Sequence, residues 1–300
     1  MAMSKAQRQE VRLLKRRSER WNKRRVFVEG VKCIQELCES NWKVERIYFT
    51  EPWADKDFWS SSDAVAAVPR LSVSSKDMEM MSALKAPPGI LAVAHLPESF
   101  NQPVTTDRLC LFLDGISDPG NVGTLVRIAD WFGLGAVYLS PECADFIGPK
   151  ALQSAMGSAF HIPCIVCPWS EVPAELKTHV MGLDASGEDM FQEAAATRPS
   201  LLVVGSESHG MKLETRESCH RLAAIPGAGR AESLNASVAG AIAVACVLQQ
   251  GLAWTKGAVN ISHHLRPASS RLHPRSIKND STASFRFSHV RCSSAVGESM

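Results

Sequence analysis

Three short segments place small and polar residues where an apolar run is about to end. The first, LDGISDPGNVGTLVR over 113–127, carries Asn121 and, six residues on, Arg127. The second, LVVGSESHG over 202–210, carries Gly205 and Glu207. The third, AIPGAGRAESLNASVA over 224–239, crowds Glu232, Ser233 and Asn235 together, with Ile225 and Leu234 beside them. A guanidinium can anchor a phosphate or stabilise a developing oxyanion. A carboxylate at a strand end can pair with a cation or orient a loop. Glycines let backbone approach a ligand closely. None of the three is a GxGxxG dinucleotide fingerprint or a Walker loop, since no Gly-Lys-Ser/Thr follows. Each also has a plainer reading. Asn121 can start a helix, Arg127 can be a surface charge, and Glu207 can sit in a solvated turn. Ser233 or Asn235 can cap the helix that follows.

The elements that hold these segments alternate between strand and helix. The run LCLFLD over 109–114 is apolar throughout, as in a strand buried on both faces. A Gly/Pro/Asn turn and a helix reaching 131–132 follow it. Further strands are expected at 136–140, 162–166, 180–184, 201–205 and 221–225, with a helix over 150–159. The last long element, 235–250, is apolar on nearly all sides and predicts a buried helix. Six strands with helical connections point to a largely parallel sheet. In such sheets ligands bind beyond the carboxyl ends of the strands, where all three segments fall.

A smaller α/β unit precedes this one. Its expected elements are a strand over 25–30, a helix over Val31–Glu39, a strand over 44–50, a helix over 78–84 and a strand over 89–96. The expected organisation is a basic helix to residue 25, a small α/β domain over 26–97, a linker over 98–107, a larger domain over 108–251, and a tail over 252–300. The tail is basic, serine-rich and without apolar period, which predicts disorder.

The 300 residues are 45% hydrophobic and 21% charged, enough for two globular domains and too apolar for wholesale disorder. The longest apolar run, within 238–248, is far shorter than the ~18–20 residues of a membrane span. The net charge of +2 conceals segregation. Residues 1–26 hold ten Lys/Arg against Glu10 and Glu19, and residues 256–300 hold seven against Asp280 and Glu298, so the middle is acidic. Basic ends suit a polyanion such as RNA or an anionic membrane surface, or are simply a solvated helix and a loose tail. The stretch 3–24 reads as one helix with sparse apolar points at Val11, Leu13 and Leu14; its arginines resemble a mitochondrial transit peptide, which Glu10 and Glu19 argue against. Nine cysteines, odd in number and irregularly spaced, fit a reducing compartment. Cys164 and Cys167 form a CxxC without a second pair at zinc spacing, so they read as structural and no metal is expected.

Taken together and in this order, the three segments resemble the signature motifs of the SpoU (TrmH) family of RNA ribose 2′-O-methyltransferases, within the SPOUT superfamily. The resemblance covers about 108–250. Residues 25–96, beginning RVFVEG, look like the small substrate-binding domain that often precedes it. It implies an α/β fold with a SPOUT-type parallel sheet and a C-terminal deep trefoil knot, preceded by a small α/β RNA-binding domain. It implies S-adenosylmethionine as cofactor, with Gly205, Ile225 and Leu234 matching its backbone contacts. Asn121, Arg127, Glu207, Ser233 and Asn235 match active-site positions. Arg127 matches an arginine proposed to assist deprotonation; because guanidinium has no spare lone pair, a phosphate anchor and alkoxide stabiliser suits it better. Asn121 and Glu207 are expected to hold Arg127 and the loops, and Ser233 and Asn235 to meet ribose or cofactor. A homodimer is implied. Two departures bear on RNA affinity and rate: Gln153 stands where an arginine is often found, and PGAGRA over 226–231 lacks the usual methionine and branched residue.

The expected substrate is structured RNA, ribosomal RNA first, with transfer RNA as an alternative because enzymes for both share these motifs. An RNA-binding or ribosome-assembly module with little catalysis, and a base methylase, are the competing readings. The expected location is the cytoplasm, or the mitochondrion in a eukaryote.

Overall fold

A computed structural model describes residues 3–98, 107–192 and 199–251. The expected tail over 252–300 and most of the expected linker lie outside the described residues.

The chain opens with two helices, α1 (Lys5–Leu13) and α2 (Arg17–Lys23). The single helix expected over 3–24 is therefore corrected. Arg16 is extended (φ −88°, ψ 134°), and the Arg20 side chain turns back to bind the carbonyls of Leu14 and Lys15. Four strands follow, β1 (Arg25–Glu29), β2 (Val44–Phe49), β3 (Arg70–Ser72) and β4 (Ile90–His95), in the order β1-β4-β2-β3. The β1–β4 and β4–β2 pairs are antiparallel and β2–β3 is parallel. Helices α3 (Val31–Glu39), α4 (Asp63–Ala66) and α5 (Ser75–Met81) connect them. β3 and α4 were not expected; at three and four residues they are too short to show a period.

The second sheet is β5 (Cys110–Asp114), β6 (Val137–Leu139), β7 (Cys164–Val166), β8 (Val180–Asp189), β9 (Leu201–Gly205) and β10 (Arg221–Ala224). Its order is β10-β8-β9-β5-β6-β7, and every pairing is parallel. The apolar runs of β5 and β9 are buried on both faces, which is why they read so plainly. Helices α6 (Pro119–Trp131), α7 (Pro149–Ala155), α8 (Leu213–Glu217) and α9 (Ala236–Gly251) accompany it. α7 stops short of 159 because Met156 takes a left-handed conformation (φ 53°). β8 runs past 184 because its polar end pairs with β10 across a register shift.

The chain builds β5, β6 and β7 outward on one side, then crosses to build β8, β9 and β10 on the other. The order reverses between β5 and β9, a switch point where crevices form in parallel sheets. Helix α9 corrects one expectation: only one of its faces is buried. Ala236, Ser237, Gly240, Ala243, Val244 and Val247 pack inward, while Val238 is 46% exposed. Among the described residues no helix is long and apolar enough to cross a membrane.

Candidate active site

Asp114 and Gly205, the last residues of β5 and β9, are direct register partners. The loops that leave these strands therefore start side by side. The first turns at Gly115 (φ 72°), whose N–H donates to Ser140 Oγ at 3.0 Å. Asp118, not Asn121, caps α6: its Oδ1 accepts from the Asn121 N–H at 3.0 Å and Pro119 takes the first helical position. Lys150 donates to the other Asp118 oxygen at 2.7 Å, and this bond holds the carboxyl below its usual range. Asn121 is freed to point elsewhere. Gly123 lets α6 close on α7, because a Cβ there would lie 2.2 Å from the Ala151 carbonyl oxygen.

The second loop is a tight hairpin. Ser206 and Gly210 exchange backbone hydrogen bonds at 3.0 and 2.9 Å, and Gly210 has φ +67°. A Cβ at Gly205 would lie 2.4 Å from Gly210 C and Met211 N, so only glycine permits this turn. The loop is fastened at its far end by Asp114, 2% exposed, whose Oδ2 accepts from the Lys212 N–H at 2.8 Å. The Lys212 ammonium meets Glu142 at 2.7 Å. In the sequence Asp114 is no more than the end of an apolar run; its burial at the switch point has no signature there.

The third segment returns from the edge strand β10 to the centre. Asn235 caps α9, its Oδ1 accepting from Ser237 N (3.0 Å), Ser237 Oγ (2.7 Å) and Val238 N (3.3 Å). Its Nδ2 donates to Asn121 Oδ1 at 3.0 Å, and Asn121 Nδ2 donates in turn to Glu207 Oε1. One side chain from each of the three segments thus joins a single hydrogen-bonded series. The direction is set from its ends: the carboxylate can only accept, so both amides must present their nitrogens toward it.

The remaining candidates lie around this series. Ser233 and Leu234 are exposed, Leu234 at 45%, while Ile225 and Gly205 are half-buried. Over 225–234 the backbone makes no backbone–backbone hydrogen bond with any described residue. Arg127 is exposed and has no hydrogen bond or ion pair among the described residues. The expectation that Asn121 and Glu207 hold it is corrected: they hold each other. Six residues along a helix amount to about 9 Å of rise and about 120° of rotation, which parts Arg127 from Asn121.

No group of His, Cys, Asp or Glu among the described residues could hold a metal ion. Cys164 and Cys167 are free and buried, and burial pushes both thiols up, away from the thiolate a metal needs.

Parallel strands that reverse order beside three polar loops define a class of open-sheet α/β protein, in which ligands bind beyond the carboxyl ends of the strands at the switch point. Residues 108–245 match the SpoU rRNA methylase family and residues 6–92 match the MRM3-like substrate binding domain. The 23S rRNA guanosine 2′-O-methyltransferase RlmP of Bacillus subtilis is 32% identical over 231 residues, spanning 76% of this chain and 90% of that one. A 23S rRNA uridine 2′-O-methyltransferase of Streptomyces viridochromogenes is 30% identical over 242 residues, spanning 75% and 83%. The crystal structure of the SpoU methyltransferase AviRb from S. viridochromogenes, in complex with AdoMet, superposes with a TM-score of 0.75 at 26% identity, covering 83% of this chain and 99% of that one. The chain belongs to the SpoU rRNA methylase family.

Proposed function

We propose that the protein methylates a ribose 2′-hydroxyl in structured ribosomal RNA, using S-adenosylmethionine. The observation that carries this is the series Glu207–Asn121–Asn235, which gathers all three strand-end loops at the switch point and leaves the Arg127 side chain without a partner among the described residues. Two relatives with this activity, RlmP and the S. viridochromogenes enzyme, align over most of their lengths.

The residues beside the switch point fit the cofactor in chemical kind. When bound, S-adenosylmethionine supplies a methyl group on a positively charged sulfur, open to an oxygen nucleophile. Its adenine and ribose need an apolar wall and backbone donors and acceptors. Residues 225–234 offer unpaired backbone beside Ile225, which packs on the core, and the uncovered Leu234. Gly205, Ile225 and Leu234 would hold it through their backbones. Arg127 binds an RNA phosphate and steadies the charge that develops on the 2′-oxygen, since a guanidinium donates five hydrogen bonds and accepts none. Asn121 and Glu207 fix the loop geometry, Asn235 orients Asn121, and Ser233 meets the ribose. Alignment within such a frame is worth several kcal/mol of barrier.

We further infer a homodimer and a deep trefoil knot. The dimer is supported by an apolar stripe on α9, with Val238 and Ala245 exposed and Ala241 and Ile242 only half-buried among the described residues. The knot is supported by the return of the chain from β10 at the sheet edge to bury α9 against α6, β9 and β8. The division into a basic arm to 25, a small domain over 26–97 and a methyltransferase domain over 108–251 follows the two sheets. The compartment is the one that holds the ribosomal RNA, the cytoplasm or a mitochondrion.

The test is transfer of labelled methyl from S-adenosylmethionine to ribosomal and transfer RNA, followed by nucleoside analysis. A 2′-O-methylnucleoside in ribosomal RNA is expected. Label in a base, in transfer RNA alone, or in neither RNA would overturn the reading.

A further inference from the structure

Arg20 belongs to the basic stretch that suggests a polyanion partner, yet it is 3% exposed. Its guanidinium is used on every side. Nε donates to Asp145 Oδ2 at 3.0 Å and Nη2 donates to the same oxygen. Nη1 donates to the carbonyls of Leu14 and Lys15 at 2.8 and 2.9 Å, closing the corner between α1 and α2. The other Asp145 oxygen accepts from Trp21 Nε1 at 3.2 Å, and the Trp21 ring meets Phe146 edge-on at 6.3 Å. Both charged side chains are nearly dry, at 4% and 8% exposed. Burying an ion pair gains little over burying apolar groups, and its best-attested use is to set register.

Here the register is between the arm and the site. Asp145 sits in the loop between β6 and α7, and that loop also braces the first signature loop. Ser140 Oγ accepts from Gly115 N, Ala144 N donates to the Ile116 carbonyl at 2.8 Å, and Lys150 holds the α6 cap Asp118. The nine-residue loop 140–148 therefore grips the arm through Asp145 and braces the first signature loop through Ser140 and Ala144.

We propose that Arg20 and Asp145 are positioning residues for methyl transfer. They hold the α1–α2 corner at a fixed distance from the three-loop site, so that Arg12 and Arg16 bind RNA in register with the reacting ribose. Arg12 and Arg16 are exposed, flank that corner, and have no side-chain partner among the described residues. This rests on the methyl-transfer reading above. Lysine cannot replace Arg20, because one ammonium cannot serve a carboxylate and two carbonyls in a plane.

The test uses the full chain and a large-subunit ribosomal RNA transcript. Asp145→Asn, and the paired change Arg20→Met with Asp145→Leu, open the lock; the pair removes both charges together, which buried sites tolerate. S-adenosylmethionine affinity by calorimetry should stay within about twofold, while kcat/KM for the transcript falls roughly tenfold or more. Arg12→Ala with Arg16→Ala should lower kcat/KM strongly in the wild type and much less in the unlocked variants, a non-additive cycle that a purely structural pair does not produce. Full additivity, or unchanged kcat/KM, overturns the proposal. Should the variants fail to bind cofactor, hydrogen exchange on the wild type decides. Amides of α2 and of 143–148 must be protected as strongly as those of β5, and exchange at the rate of a frayed terminus overturns the lock. A wild type that methylates no RNA defeats the methyl-transfer reading instead, while additivity in an active enzyme defeats the lock alone.

Discussion

The basic arm and the three-loop site use arginine in opposite ways. In the arm most cations are already committed. Arg8 pairs with Asp77, Arg20 with Asp145, and Arg25 with Glu10 and Glu45, while Arg24 binds the carbonyls of Pro97 and Glu98. At the site the Arg127 guanidinium has no partner among the described residues, although the surrounding chain is acidic. The difference shows that a charge count over a segment does not measure its capacity for phosphate. Capacity depends on which guanidiniums lack an internal partner, and that is a property of tertiary contacts. An acidic middle is then no obstacle, because one free arginine beside a cofactor crevice can matter more than several that hold the fold.

The contrast is broken most directly at Arg127. Arg127→Ala should lower methyl transfer by about 100- to 1000-fold, the loss typical of one oxyanion-stabilising donor. S-adenosylmethionine affinity and thermal stability should hardly change, since the side chain is exposed and makes no hydrogen bond or ion pair among the described residues. A comparable loss of melting temperature would mean that Arg127 is structural, like its counterparts in the arm. A different separation is expected at Gly205. The added methyl of Gly205→Ala meets Gly210 C and Met211 N at 2.4 Å, and the paired Ser206–Gly210 bonds leave that backbone nowhere to go. Overpacking of this kind costs about 1–3 kcal/mol, here confined to the second loop. Calorimetry should show cofactor binding weakened by roughly tenfold or more. Cofactor affinity equal to wild type would remove the loop from the binding site.

The legibility of the chain follows the same division. Strands β5 and β9 were readable because burial on both faces demands an unbroken apolar run. The site was readable at Asn121, Glu207 and Asn235 because polar residues at strand ends, in that order, are specific to one family. Their bonding was not readable. Nothing local says that Asn121 turns to Glu207 and Asn235, which lie 86 and 114 residues away, rather than to Arg127 on its own helix. The cap on α6 was missed although the Asp118–Pro119 pair is a helix-start signal. Arg20 was invisible for a deeper reason: its partner lies 125 residues off, and amid ten basic residues no local pattern marks the buried one. The solvent-facing stripe of α9 was hidden by its composition, because an apolar helix looks the same whether its second face meets the core or another chain.

Asn235 sharpens the comparison, since it serves fold and site at once. Asn235→Ala removes the α9 cap and should cost about 1 kcal/mol, a shift of about 2–4 °C in melting temperature for a domain of this size. Asn235→Asp retains the cap oxygen and adds a charge suited to a helix N-terminus. It cannot donate to Asn121 Oδ1, however, and brings a second carboxylate toward Glu207. Stability should recover in the aspartate variant while methyl transfer stays low. Recovery of both would show that the Asn235–Asn121 bond is incidental.

The smallest effect is expected where His161, in the turn after α7, bridges the small domain and α6. His161 Nε2 lies 3.5 Å from Glu36 of α3, and Nδ1 lies 3.7 Å from Asp130 of α6. The neighbouring Asp130 carboxylate, opposed by desolvation and helped by the charges of Glu36 and Glu39, raises the imidazole above its ordinary 6.5. A histidine that binds its proton more tightly when folded stabilises the fold fully below about pH 6.5, and that contribution fades as pH climbs through the raised folded value. His161→Gln should therefore melt lower than wild type at about pH 5.5, with the two converging above about pH 8. The gap should be small, since the ring is exposed to solvent and salt screens it. A gap that is constant with pH would mean packing rather than charge, and one that widens toward alkaline pH would mean the imidazole is held neutral. Either result would leave the buried Arg20–Asp145 pair as the principal ionic contact between the two regions among the described residues, and would make that contact more important for setting where the arm sits.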